Sequence, residues 1–98
     1  MELYSVTEIV ISSSFGTKDG TIKGVFGCRI DALRLARKLF KERENEMSKS
    51  VFEYEKSKTT EGPNVQFDIW DSNYDGFTLQ VQKHEIEEPK YKSDKNAF

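Results

Sequence analysis

The sequence predicts an α+β fold: a two-layer sandwich with one long amphipathic helix on one face of an antiparallel sheet of four strands, or five under a second reading of residues 51–58. Three observations carry this. Residues 28–43 sort apolar and basic side chains onto opposite sides of one helix. Runs with a period of two lie before and after that stretch. No Gly or Pro falls between Cys28 and Gly62, so nothing punctuates a long helix there.

Tyr4 to Ser12 alternates, with Leu3, Thr7, Ile9 and Ile11 on one parity and Tyr4, Val6 and Val10 on the other. Apolar residues on both parities predict a central, well-covered strand. Ser12 to Gly16 leads into Lys18-Asp19-Gly20, where Asp-Gly signals a hairpin turn before a second strand from Thr21 to Phe26. Gly27 and Cys28 open the helix, and Asp31 is placed to meet the orphan amides of its first turn. At 100° per residue, Leu33, Phe40, Ala36, Ala32, Leu39 and Leu35 fill an arc of about 160°. Arg34, Arg37, Lys38 and Lys41 form a basic stripe opposite.

Two readings of the next segment stay open, the helical one slightly ahead. Met47, Val51 and Tyr54 continue the apolar arc and would carry the helix to about Lys58. Alternatively the helix stops near Lys49 and Val51 to Lys58 is a strand, since Phe52 and Tyr54 alternate with Glu53 and Glu55. Thr59 to Asn64 is a loop around Gly62-Pro63, Val65 to Trp70 a strand, Ser72 to Gly76 a turn, and Phe77 onward a strand fading near Ile86. The order is ββαββ. The apolar arc is expected to pack on Ile9, Ile11, Phe67, Ile69, Leu79 and Val81. Residues 1–86 form one domain, and 87–98 read as a charged, mobile tail.

Ninety-eight residues suit a single core without metal or disulfide support. The hydrophobic fraction of 36% is low and the charged fraction of 33% high, so long charged side chains must cover the rim of a compact core built on 12% aromatics. The single cysteine excludes an internal disulfide. No run approaches the length of a membrane span, and the N-terminus lacks a basic segment followed by an apolar one; a cytoplasmic protein is expected. The net charge of −2 divides unevenly, with +4 over 29–43 and −6 over 59–88, and such a field orients charged partners.

Asp71-Ser72-Asn73-Tyr74-Asp75-Gly76 reads D-x-N-x-D-G, the opening of a calcium-binding EF-hand loop. Its twelfth position is Gln82 rather than Glu, and strands flank it, so a hairpin turn rich in Asp, Asn and Gly is expected, with no metal or other cofactor. His84, the only histidine, shares the parity of Gln80 and Gln82 and is expected to face solvent. Cys28, at a helix start beside Arg29, is expected to be a small buried packing or capping residue rather than an activated thiol. The glycines fit neither phosphate-binding pattern. No complete catalytic set assembles, so no catalytic residue and no enzyme is expected.

Surfaces remain. Arg34, Arg37, Lys38 and Lys41, their charge shared by Glu42, Glu44 and Glu46, are first explained as a solvated helix face; as a binding surface they suit an acidic protein or, as the alternative, nucleic-acid phosphates. Asp68, Asp71 and Asp75, with Glu85, Glu87 and Glu88, would suit a basic groove on another protein. Leu3-Tyr4-Ser5-Val6-Thr7-Glu8, Gly24-Val25-Phe26 and Ala32 through Phe40 resemble small uncharacterised α/β proteins encoded by phages or mobile elements, over about the first 45 residues. The resemblance implies a binding protein acting on a larger host or defence protein, as inhibitor or regulator, with no catalytic residues.

Overall fold

The computed structural model describes residues 1–12 and 16–86, with 16–19 as backbone alone. Its elements are β1 (Glu2–Ser12), β2 (Gly16–Phe26), α1 (Arg29–Ser50), β3 (Tyr54–Glu61), β4 (Asn64–Asp71) and β5 (Gly76–Glu85). The five strands form one antiparallel sheet in the order β2-β1-β5-β4-β3. The fold is α+β, as the sequence predicts, with the fifth strand present. Residues 13–15 and the expected tail 87–98 lie outside the described residues. Among the described residues no helix is long and apolar enough to cross a membrane.

Two local expectations give way to pairing. Residues 54–58 are strand, so the helix does not reach Lys58. It stops at Ser50, with the Val51 amide donating to the Met47 carbonyl at 3.0 Å before the backbone turns extended. The helical spacing of Val51 and Tyr54 loses to an eight-residue ladder with β4. That ladder is closed by the two-residue loop Gly62-Pro63, where Gly62 takes φ +58°, a value glycine adopts without steric cost. Asp19-Gly20 is likewise no turn. It sits inside β2, with Gly20 paired to Ile9, because the β1–β2 ladder runs on to Ser12 and Gly16.

The helix joins one edge of the sheet, β2, to the other, β3. Four strand spacings amount to about 19 Å, and the 22 residues of α1 give a rod of about 33 Å, long enough to cross the face. Ala32 and Ala36, both fully buried, let the helix lie close, and Leu33, Leu35, Leu39 and Phe40 pack around them. The sheet answers with Tyr4 and Val6 of β1, Val65 and Phe67 of β4, and Leu79 and Val81 of β5. Phe40 and Phe67 meet at 5.4 Å between ring centres. Phe67, Leu79 and Val81 are thus core partners as expected, and Ile69 is buried too.

Ile9 and Ile11 are not. The helix-facing parity of β1 is Tyr4, Val6 and Glu8, which puts Leu3, Ser5, Thr7, Ile9 and Ile11 on the opposite face. Glu8 occupies a core position because Arg43 reaches down from the helix, with Nε donating to Oε2 at 2.6 Å and Nη2 to Oε1 at 2.9 Å.

The helix start is under-capped. Cys28 holds the N-cap position with extended backbone but makes no side-chain hydrogen bond, and its thiol is exposed rather than buried as the sequence suggested. Cys28→Asp is expected to add about 1 kcal/mol by accepting a first-turn amide. Urea unfolding reads this as a higher midpoint at unchanged slope; an unmoved midpoint would mean that water already serves those amides.

Candidate functional site

One face of the sheet carries α1. On the other, no element covers the sheet among the described residues. Register assigns its side chains strand by strand. β2 contributes Ile22 and Val25, both placed there because a register shift opposite Val6 and Thr7 leaves Lys23 unpaired between them. β1 contributes Leu3, Ser5, Thr7, Ile9 and Ile11; β5 contributes Thr78, Gln80, Gln82 and His84. β4 adds Gln66, Asp68 and Trp70, and β3 adds Glu55, Ser57, Thr59 and Glu61.

The open face therefore grades from apolar to acidic across five strands. At the apolar side, Ile22 is 66% exposed and Val25 55%. They border a shallow depression shared with Leu3, Ser5, His84, Glu85 and Ile86. The middle is an amide and hydroxyl network. Gln80 donates to Gln66, Gln66 to Asp68, and Thr78 Oγ1 to Asp68 Oδ1 at 2.7 Å, while Ser57 approaches Asp68 Oδ2 at 3.4 Å. The far side carries Glu55 and Glu61. Among the described side chains no Lys or Arg lies on this face. Lys23 and Arg43 turn to Glu8, Lys56 to Glu44, and Lys58 lies over the Phe67 ring, all on the helix side.

Those helix-side pairings set the resolved ionisation behaviour. The Arg43 hydrogen bonds hold the Glu8 carboxyl below its usual range against the opposing effect of burial, and Glu8 in turn raises Arg43. Lys56 lowers Glu44 and is raised by it; Lys83 lowers Glu2 and is itself raised by Glu2 and Glu85.

The sequence-predicted site residues separate into two places. Arg34, Arg37, Lys38 and Lys41 are all exposed along α1, with Arg34 3.6 Å from Asp31. Asp68 lies across the sheet from them, committed to the network above. Asp71 and Asp75 share the β4–β5 turn, where Asp71 Oδ1 accepts the amides of Asn73 at 2.8 Å and Asp75 at 3.1 Å. That carboxylate is organising its own turn, whose Tyr74 takes φ +62°. The basic and acidic sets do not meet.

His84 is exposed as expected, but it is hydrogen-bonded to Ser5, Oγ to Nε2 at 2.8 Å, a pair the sequence reading missed. A serine next to a histidine invites comparison with an activated nucleophile. Ser5, however, sits mid-strand and is paired on both sides, with Val25 and Gln82, so its neighbouring amides belong to ladders and do not converge as an oxyanion hole. The pair orients two polar groups within the apolar depression.

A second feature the sequence reading missed lies at the acidic end. The start of β3 and the β4–β5 turn enclose a notch lined by Glu53, Tyr54, Glu55, Trp70, Asp71, Ser72 and Tyr74. Glu55 and Trp70 are cross-strand partners. Only the register of β3 brings these residues together, so no local motif signals it. Against known proteins, neither a family model, nor a curated sequence, nor a solved structure matches this chain.

Proposed function

We propose that this chain is a small non-enzymatic binding protein that docks on a larger protein through the open face of its sheet. The partner surface is apolar at one side and basic at the other. The observation that supports this is the gradient itself: two exposed β-branched residues at one edge, carboxylates at the other, and no Lys or Arg on the described part of the face. An apolar patch rimmed by polar groups is a common form of protein-binding surface, and acidic complementarity selects a basic partner. A second copy of the same face fits poorly, since it offers no cation to the carboxylates. The single exposed thiol suits the reducing cytoplasm, and the resemblance to phage and mobile-element proteins favours a host or defence protein as the partner, inhibited by occupation of its basic groove.

The test compares surfaces. Tagged wild type, an Ile22→Ser/Val25→Ser variant, a Glu55→Lys/Glu61→Lys variant and an Arg34→Glu/Lys38→Glu variant are used to capture proteins from the same source-cell extract. The reading expects one stoichiometric partner, lost with both open-face variants and kept with the helix variant. Capture insensitive to both open-face variants overturns it. The nucleic-acid alternative has one observation in its favour, the exposed row of Arg37, Lys38 and Lys41 on α1. A salt-sensitive mobility shift abolished in Arg37→Glu/Lys38→Glu would replace the protein-partner reading with that one.

A further inference from the structure

We infer that the notch between the start of β3 and the β4–β5 turn is a receptor for a cationic side chain, the guanidinium of an Arg or the ammonium of a Lys on the partner. This deepens the basic-partner reading and rests on it.

Aromatic and acidic residues border one small opening: Trp70 and Tyr74 with Glu53 and Glu55, joined at its rim by Tyr54, whose hydroxyl goes to Glu44, and Asp71, whose Oδ1 holds its own turn. The remaining lining residue is Ser72, so no cation is built in. Aromatic faces attract cations through their quadrupole, and nearby carboxylates add Coulomb attraction and hydrogen-bond acceptors. An apolar ligand would leave the carboxylates unpaired, and an anion would be repelled.

The backbone explains why the acids are left for a partner. The Tyr54 hydroxyl and Lys56 Nζ both donate to Glu44 of α1, at 3.2 and 2.7 Å. That draws the even positions of early β3 to the helix, and the period of two turns Glu53 and Glu55 the other way. The Lys that could have neutralised them is committed to Glu44. Tyr74 is 71% exposed, and the preceding loop sets Phe52 wholly in solvent beside Glu53.

Trp70 is the only tryptophan, so its fluorescence reports the notch directly. The full chain is titrated with a blocked tetra-arginine peptide, with a blocked tetra-citrulline peptide of the same shape but no charge, and with spermidine as a free polyamine. A saturable change in Trp70 emission with the arginine peptide, and none with the citrulline one, is expected. Glu53→Gln/Glu55→Gln should weaken the arginine peptide about tenfold, the sum of two near-surface charge pairs, and Tyr74→Asn, which tolerates the left-handed backbone, about threefold. Ile22→Ser/Val25→Ser, remote from the notch, should leave the titration unchanged.

Equal responses to the arginine and citrulline peptides, no response to either, or full affinity in the Glu53→Gln/Glu55→Gln variant each overturns the notch. Spermidine binding more tightly than the peptide overturns the assignment to a protein side chain. Failure of this titration leaves the extract capture by the apolar edge standing, whereas loss of that capture's surface dependence with the titration intact defeats the docking reading alone.

Discussion

Gly76→Ala is expected to lower stability by about 3 kcal/mol, a large share of what a domain of this size has. Gly76 opens β5 and is held from both sides, paired with Ile11 of β1 and Trp70 of β4. It is buried. A Cβ added there would overlap the carbonyl oxygen of Ile69 and stand 2.8 Å from the Trp70 Cα. These are backbone atoms in a ladder, so no rotamer change relieves the clash, and the strands can separate only by breaking pairs. Urea unfolding should show a much lower midpoint. Gly27→Ala, which meets nothing within 4 Å, serves as the near-neutral control. A Gly76→Ala protein with the wild-type midpoint would show that β4 and β5 do not approach so closely at this point.

What was legible in the sequence was whatever repeats along the chain. The arc of α1 from Ala32 to Phe40, the parity of Val65, Phe67 and Ile69, and that of Leu79 and Val81 identify the two layers and most of the core without any knowledge of topology. The failures share a physical origin, which is competition between local signals and long-range pairing. Val51 and Tyr54 fit a helical arc, yet extended backbone lets Tyr54 to Glu61 satisfy its amides against β4 while Tyr54 still reaches Glu44. Asp19-Gly20 has the composition of a turn, but a ladder that continues to Gly16 outweighs one dipeptide preference.

Ile9 and Ile11 are a different failure. β1 is apolar on both parities, so alternation cannot decide which face meets the helix. The deciding residue is Glu8, and its meaning is visible only beside Arg43. A signal was present: at 100° per residue Arg43 falls about 20° from Ala36, inside the apolar arc. A cation there must either unfold the last turns or find a buried anion, and Glu8, on the helix-facing parity of β1 with Tyr4 and Val6, was the anion available. The open face and its notch were the least legible parts, because both are products of register. Which carboxylates stand beside Trp70 depends on the Gly62-Pro63 loop holding Glu55 opposite it, and no spacing along the chain encodes that.

The Glu8–Arg43 pair should dominate both the polar energetics of the core and the acid sensitivity of the fold. Glu8 is 7% exposed and the Arg43 side chain 22%, and the guanidinium also lies 5.2 Å from the Phe77 ring centre. Arg43→Met keeps the stem that covers Phe77 but leaves a buried carboxylate with only Lys23, at 3.6 Å. The cost is expected to be about 3 kcal/mol. Adding Glu8→Leu removes the orphaned charge and should recover most of it, because a buried pair gains little over an apolar replacement of similar size. In the linked pH dependence, Arg43 holds the folded-state Glu8 carboxyl below its unfolded value of 4.5. The pair's stabilisation is therefore fully present above that value and is lost as pH falls through the lower folded one. Between those two values the wild type should lose stability with a slope approaching 1.4 kcal/mol per pH unit for this one proton. Glu46, bonded to Arg43 at the exposed rim, and Lys23 modulate the same cluster, while Glu2 and Glu44 are lowered by their own lysines. The Arg43→Met/Glu8→Leu protein retains the contributions of Glu2 and Glu44 but loses that of Glu8, so its stability should fall less steeply below pH 4.5. Superimposable acid limbs in the two proteins would mean that Glu8 is not held by Arg43 in solution.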